Sequence, residues 1–201
     1  MESDLKRYPL FPGVVGLYSS TAQSGKSTVA DVLEREYGYR RIKFASGLKT
    51  MARALLASLG YIGEELERRI DWDLKEEFIP ELGVTSRFLQ QTIGTEWGRQ
   101  TVSESIWIDI ASAQIEQSIR AGVPVVVDDV RFPNEFLRLR GRHKATLIQV
   151  SRPGYRASGE HTSESQLDND YEFDLHFLND QHIPQLKTQA RTFLDRHWAS
   201  V

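Results

Sequence analysis

The chain of 201 residues contains no cysteine. Disulfide staples, thiolate metal sites and a cysteine nucleophile are therefore excluded. Long apolar runs are missing too, and no stretch approaches the roughly 20 residues that span a bilayer. The opening stretch MESDLKRYPLFPG lacks an apolar core of signal-peptide type, so the sequence reads as cytoplasmic, with no membrane partner. Nor is there a charge excess: 25 Lys and Arg face 28 Asp and Glu, a net charge of −3. Such a balance offers no basic field for a long polyanion and argues against nucleic acid as a partner, while local basic clusters still suit a small phosphorylated ligand. No His, Asp and Glu spacing matches a zinc site, no nucleophile elbow occurs, and there is no internal repeat or low-complexity segment. What remains is an ordinary globular composition, 40% hydrophobic and 26% charged, at a length that suits one domain over residues 1–201.

Periodicity supplies the architecture. Val14 to Ser19 reads as a buried strand, and Lys26 to Tyr37 as a helix with Val29, Val32 and Leu33 on one face and Gly38 as its stop. Tyr39 to Ala45 fits a second strand. Ser46 can cap a helix that Gly60 ends. Residues 61–83 are dense in charge and read as surface helix and loop, open to being a dimer surface, as in a homodimer, or a substrate-side flap. Thr85 to Ile93 reads as a short helix before Gly94. Thr101 and Glu104 have capping-box spacing, and the helix after them carries Ile108, Ala111, Ile115 and Ile119 as its buried stripe. VPVVVDDV, KATLIQV and FDLHFL read as further strands, and Ile183 to His197 as a last helix. Strands alternating with helices predict an α/β fold with a central parallel sheet covered on both faces. In such sheets ligands gather at the carboxyl ends of the strands, where residues 20–28, 46–49, 94–99, 128–135 and 151–164 fall.

The first of these segments carries a recognisable chemistry. Ser24-Gly25-Lys26-Ser27-Thr28 stands between a strand and a helix, as in the phosphate-binding P-loop, although Ser20 occupies the place of its first glycine. Backbone N–H groups of such a loop wrap an anionic phosphate; Lys26 would reach the β- and γ-phosphates, Ser27 would hold Mg²⁺ and Thr28 could assist. A side chain at Ser20 predicts discomfort if positive φ is needed there. Asp128 and Asp129 end a valine-rich strand. Asp129 and Arg131 suit an acid that orients a metal-bound water or substrate hydroxyl and an arginine that faces phosphate, whereas Asp128 reads equally well as part of a strand-end turn before Pro133. Gly94, Thr95, Glu96, Trp97 and Arg99 form a glycine-flanked group able to read a base and a phosphate, with Trp97 equally suited to packing. Arg152, Arg156, His161, Ser163 and Glu164 lie on a polar segment that suits a lid over phosphates.

The signatures SGKST, KFASGLK, LQQTIGTEWGRQ, VVVDDVRFPNE, VSRPG, HTSES and FLND occur in this order between Val14 and Asp180. In that order the chain resembles the bacteriophage deoxynucleoside monophosphate kinases, within the P-loop nucleoside monophosphate kinase group. The resemblance implies a three-layer P-loop fold with about five parallel strands, a substrate-side insertion near 46–100 and a small lid near 151–168. It implies ATP and magnesium as cofactors, small-molecule nucleotides as partners, and transfer of the γ-phosphoryl to a deoxynucleoside 5′-monophosphate, supplying DNA precursors in the cytoplasm, that of the host if the protein is phage-encoded. Residue by residue it puts Ser24, Gly25, Lys26, Ser27 and Thr28 on ATP, with Arg152 and Arg156 near the lid. It puts Phe44, Lys49, Gly94, Thr95, Glu96 and Arg99 around the monophosphate, and makes Asp129 and Arg131 the acid and arginine of the second nucleotide strand. Ser27 stands where phage members often carry Asp. Three other readings stay open: a kinase of the dephospho-coenzyme A type, whose expected acidic motif is replaced here by KFASGLK; a kinase of a modified base in DNA; and a nucleotide-binding protein without transfer activity.

Overall fold

In the computed structural model, residues 13–21, 23–154, 167, 170–180 and 182–198 are described. The chain runs β1 (Val14–Tyr18), α1 (Lys26–Tyr37), β2 (Arg40–Ile42), α2 (Ser46–Ser58), α3 (Gly63–Asp71), a 3-10 turn (Asp73–Glu76), β3 (Phe78–Ile79), β4 (Val84–Thr85), α4 (Ser86–Thr92), a π-helix (Ile93–Val102), α5 (Ile106–Arg120), β5 (Val125–Val130), α6 (Pro133–Gly141), β6 (Thr146–Ser151), β7 (Leu175–Leu178) and α7 (Ile183–Trp198). No helix among the described residues is long and apolar enough to cross a membrane. The chain divides into two compact units, Met1–Lys43 with Gln114–Val201, and Phe44–Ala113.

The first unit is built on a five-stranded sheet in the order β2-β5-β1-β6-β7, every neighbouring pair parallel. This is the expected α/β architecture. Alternation along β1 shows why helices cover both faces. Val15 and Leu17 turn one way, into a core shared with Val29 and Leu33 of α1 and Leu186, Ala190 and Leu194 of α7. Gly16 turns the other way, where a Cβ would lie 2.5 Å from Leu147 Cδ2 and 2.9 Å from Leu139 Cδ1 of α6. Burial on both faces explains the unbroken valine run of β5. Helix α1 ends as the sequence predicts, with Gly38 at φ 73° and its N–H bonded to the Leu33 carbonyl.

In the second unit, α2, α3 and the hairpin of β3 with β4 close a small core around Ala52, Leu56, Ile70 and Ile79. The hairpin was not expected, because two-residue strands leave no periodicity to read. Thr85 caps α4 by accepting from the Phe88 N–H (3.2 Å), but the helix does not stop before Gly94. It passes directly into the π-helix Ile93–Val102, so the glycine-flanked group Gly94 to Arg99 is helical. Three further expectations fail here and nearby. Ser46 is the first residue of α2, with Ala45 at its cap and no side-chain capping bond. Thr101 does not cap α5: its hydroxyl donates to the Glu96 carbonyl (2.8 Å) within the π-helix. In α5, Ile108, Ala111 and Ile115 are buried, but Ile119 is 41% exposed.

Candidate active site

The carboxyl ends of four adjacent strands assemble the candidate site of the first unit. Tyr18 pairs with Val130 and with Gln149, and Ser151 pairs with Leu178. The segments that leave these strands, 19–25 after β1, Arg131 after β5, Arg152 after β6 and Asn179 after β7, therefore emerge side by side at one edge.

The loop after β1 has the backbone of an anion cradle. Ser19 Oγ bonds to the Thr21 backbone at both its N–H and its carbonyl (3.1 Å each), tightening the exit from the strand. Gln23 lies at φ 54° and Gly25 at φ 103°, while Ser24 between them is not in the left-handed region. Left-handed residues on either side of Ser24 turn the chain sharply ahead of the helix, the kind of turn in which backbone N–H groups can gather round an anion. Gly25 then serves as the N-cap of α1 with no side-chain capping bond, and no acid stands in the first turn. With no side-chain cap and no acid there, the positive end of the α1 dipole suits an anion from outside. Lys26 and Ser27 open this helix, with Lys26 half-buried and Ser27 exposed.

The discomfort expected at Ser20 does not arise. Positive φ falls at Gln23 and Gly25, and Ser20 is not in that region, so its Cβ costs nothing. Gly25 is required twice over: a Cβ there would run into the Leu186 side chain and lie 3.1 Å from Asn179 Nδ2. The outward carbonyls of the loop meet donors from the neighbouring strands. Arg152 Nη1 donates to the Gln23 carbonyl at 3.3 Å and Asn179 Nδ2 to the Ser24 carbonyl at 2.8 Å. Arg152 therefore touches the loop's backbone. Arg156, with His161, Ser163 and Glu164 and nearly all of the expected lid, lies outside the described residues.

The two acids of β5 have different surroundings. Between Gly16 and Tyr18 of β1 the register slips, so that Val127 to Val130 spans one residue more than its partner. A bulge at Asp128-Asp129 breaks the alternation of the pleat. Asp128, 7% exposed, lies 3.5 Å from Arg41 Nη1 and 3.6 Å from Lys43 Nζ, and its Oδ1 is buried without a hydrogen-bond partner among the described residues. Asp129 is half-buried. Arg131 follows, exposed, with no ion-pair partner among the described residues. Its backbone is fixed by a residue that was not singled out from the sequence. The buried Glu135 accepts from the Arg131 N–H (2.8 Å) and the Phe132 N–H (3.1 Å) through one carboxylate oxygen. The signal was present as Pro133 followed two residues later by an acid.

In the second unit the π-helix sorts its residues by face. Gly94 and Gly98 are buried against Trp107, which is 2% exposed and donates its indole N–H to the Gly94 carbonyl (2.8 Å). Thr95, Glu96 and Trp97 are exposed, Trp97 by 41%, and Arg99 is half-buried. The packing role open to Trp97 belongs mainly to Trp107. A Cβ on Gly98 would lie 2.6 Å from the Trp107 ring and 2.8 Å from the Ile93 carbonyl oxygen, a backbone atom that cannot step aside. Gly98→Ala is expected to destabilise the chain by about 1–3 kcal/mol, the usual range for overpacking, read by chemical denaturation. A change within about 0.5 kcal/mol, as at ordinary surface positions, would show that the π-helix does not depend on this close approach.

Phe44 is buried, 3% exposed. Lys49 bonds to Asp71, which also accepts from Arg53 Nη2 (2.6 Å); Arg53 in turn holds Glu67 (2.9 Å). Burial pushes the Asp71 carboxyl up, but the bond from Lys49 and the charges of Lys49 and Arg53 outweigh it and hold it below its ordinary 3.8. Lys75 was not singled out from the sequence. Burial first, and the charge of Lys49 second, lower it from 10.5. Cations that crowd one another in this way favour an added anion.

Comparison with known proteins bears on these features together. The deoxynucleoside-5′-monophosphate kinase of Escherichia phage T5 is 36% identical over 105 residues, which are 48% of this chain and 40% of the phage protein. The chain thus spans less than half the length of that relative. A mimivirus protein of Acanthamoeba polyphaga, named "Putative deoxynucleotide monophosphate kinase", is 26% identical over 185 residues, 86% of this chain and 91% of its own length. A solved protein from Thermus thermophilus aligns over 91% of this chain and 96% of its own, at 18% identity and a TM-score of 0.48. The family model described as deoxynucleotide monophosphate kinase matches residues 75–190, more than half of the chain. That span takes in the π-helix, Asp129, Arg131, Arg152 and Asn179, and leaves the phosphate loop to stand on its own geometry. The chain belongs to the deoxynucleotide monophosphate kinase family.

Proposed function

We propose that the chain transfers the γ-phosphoryl group of ATP to a deoxynucleoside 5′-monophosphate. The observation that carries the reading is the loop with left-handed Gln23 and Gly25 on either side of Ser24, leading without a side-chain cap into α1 at Lys26. Family membership supplies the acceptor class. Lys26 and Ser24 to Thr28 take the donor phosphates. Arg131, with its backbone held by Glu135, faces the transferring or accepting phosphate. On the second unit, Thr95, Glu96, Trp97 and Arg99 of the π-helix, with Lys49 and Lys75, are assigned to the monophosphate, and Gly94 and Phe44 to the packing that supports them.

The chemistry asks little covalent work of the protein. The attacking oxygen already belongs to a phosphate anion, so no strong base is needed, and catalysis consists of alignment and stabilisation of charge on the transferring group. Mg²⁺ fits the donor set. The Ser27 hydroxyl and the Asp129 carboxylate would offer it hard oxygen atoms, the kind of donor that Mg²⁺ takes beside nucleotide phosphates and waters. When bound, it would neutralise charge shared by the β- and γ-phosphates.

The test is ADP release from ATP and Mg²⁺ with a panel of deoxy- and ribonucleoside monophosphates, DNA and dephospho-coenzyme A as acceptors. Turnover should require a nucleoside monophosphate and be highest with a deoxy form. Turnover with only DNA or only dephospho-coenzyme A would replace the proposed acceptor.

A further inference from the structure

Asn179 stands one residue beyond β7, and its backbone N–H donates to the Ser151 carbonyl (2.8 Å), which pins it to the end of β6. From there its side chain reaches the phosphate loop, with Nδ2 2.8 Å from the Ser24 carbonyl oxygen. Only an N–H can serve a carbonyl, so the chemistry fixes which way the amide is turned. The peptide unit is planar and trans, so the Ser24 carbonyl and the Gly25 N–H point in opposite directions. Holding the oxygen toward Asn179 therefore holds the Gly25 N–H away from it. Arg152 treats the preceding unit in the same way through the Gln23 carbonyl. Ser24 is buried, so its carbonyl has little access to water as a substitute partner.

We propose that Asn179 is a positioning residue for the phosphate loop, setting the Ser24–Gly25 peptide so that the Gly25 N–H is aimed at a donor phosphate before the nucleotide arrives. The proposal rests on the reading of this loop as the ATP site. Preset N–H groups are worth more than flexible ones because no reorganisation is needed at the moment of binding or transfer.

The experiment compares ATP affinity of wild type, Asn179→Asp and Asn179→Ala by calorimetric titration across pH, each variant taken as a ratio to wild type, with monophosphate affinity and thermal midpoint measured alongside. At about pH 8 the Asp carboxylate opposes the Ser24 carbonyl, acceptor to acceptor, and its pKa is raised by that contact. Affinity for ATP should fall about tenfold, the worth of one such hydrogen bond. Below about pH 5 the carboxyl regains a proton and donates to Ser24 again, so the ratio should return toward one. Asn179→Ala should show a similar loss with no recovery, and monophosphate affinity should hold in both variants. A variant that binds ATP as wild type does at high pH, or loses both nucleotides equally at all pH values, would overturn the positioning role. Failure of wild type itself to bind ATP would overturn the loop reading and this proposal with it.

Discussion

Lys26→Ala is expected to leave the fold intact and lower kcat by about 10²- to 10³-fold, or about 2.7–4 kcal/mol, as removal of one preorganised group that stabilises transition-state charge does. Lys26 is the first residue of α1, directly after Gly25 at φ 103°. Its backbone thereby stands where the loop meets the positive end of the helix dipole. The core beneath is carried by Val29, Val32 and Leu33, which the substitution does not touch. Thermal melts and ATP titration should accompany the rates. Near-normal turnover in a folded variant would remove the donor phosphates from this loop.

The second large effect is expected at Arg131. Arg131→Ala should raise KM for the monophosphate about 10- to 100-fold, within the range for a hydrogen bond to a charged group, with a smaller change in affinity for ATP. Arg131→Lys should fail by a comparable margin, because a guanidinium can clasp a phosphate with two parallel bonds and an ammonium cannot. The argument rests on how firmly the residue is presented. Its N–H and that of Phe132 share one oxygen of Glu135, while its exposed side chain has no ion pair among the described residues. Separate titration of the two nucleotides reads the result. An equal loss of ATP affinity would assign Arg131 to the donor.

Much of this arrangement could be read from the sequence because its signals are local. A strand of Val14 to Tyr18, small residues, and a helix stopped by Gly38 announce themselves through period and punctuation, and the valine run of β5 does so through burial on both faces. Glycine was the less faithful guide. Gly94 reads as the stop of a short helix, but the helix runs on through it, and Gly98 lies flat against the Trp107 ring nine positions further on. That reason for glycine exists only once the indole is in place. The charge-rich segment 61–83 hid Ile70 and Ile79: Ile70 shares with Leu66 a narrow side of a helix otherwise dense in charge, Ile79 sits in a two-residue strand, and both are fully buried. Ile119 shows the converse, a periodic apolar residue that the fold leaves exposed. Of the site residues not singled out, Glu135 and Asn179 fall within quoted signatures, but they act on backbone groups, which a signature does not reveal. Asn179 reaches Ser24 across 155 positions of chain, a pairing that only the parallel order of β1, β6 and β7 creates.

The central claim is that this chain moves a phosphoryl group from ATP to a deoxynucleoside monophosphate, and the fate of a label on the γ-phosphate tests it most directly. Purified chain, Mg²⁺, γ-labelled ATP and each deoxynucleoside 5′-monophosphate should yield label in the β-position of a deoxynucleoside diphosphate, with unlabelled ADP in equal amount, and Lys26→Ala should abolish most of it. Label released only as inorganic phosphate, or retained in ATP while the nucleotide is bound, would contradict the claim.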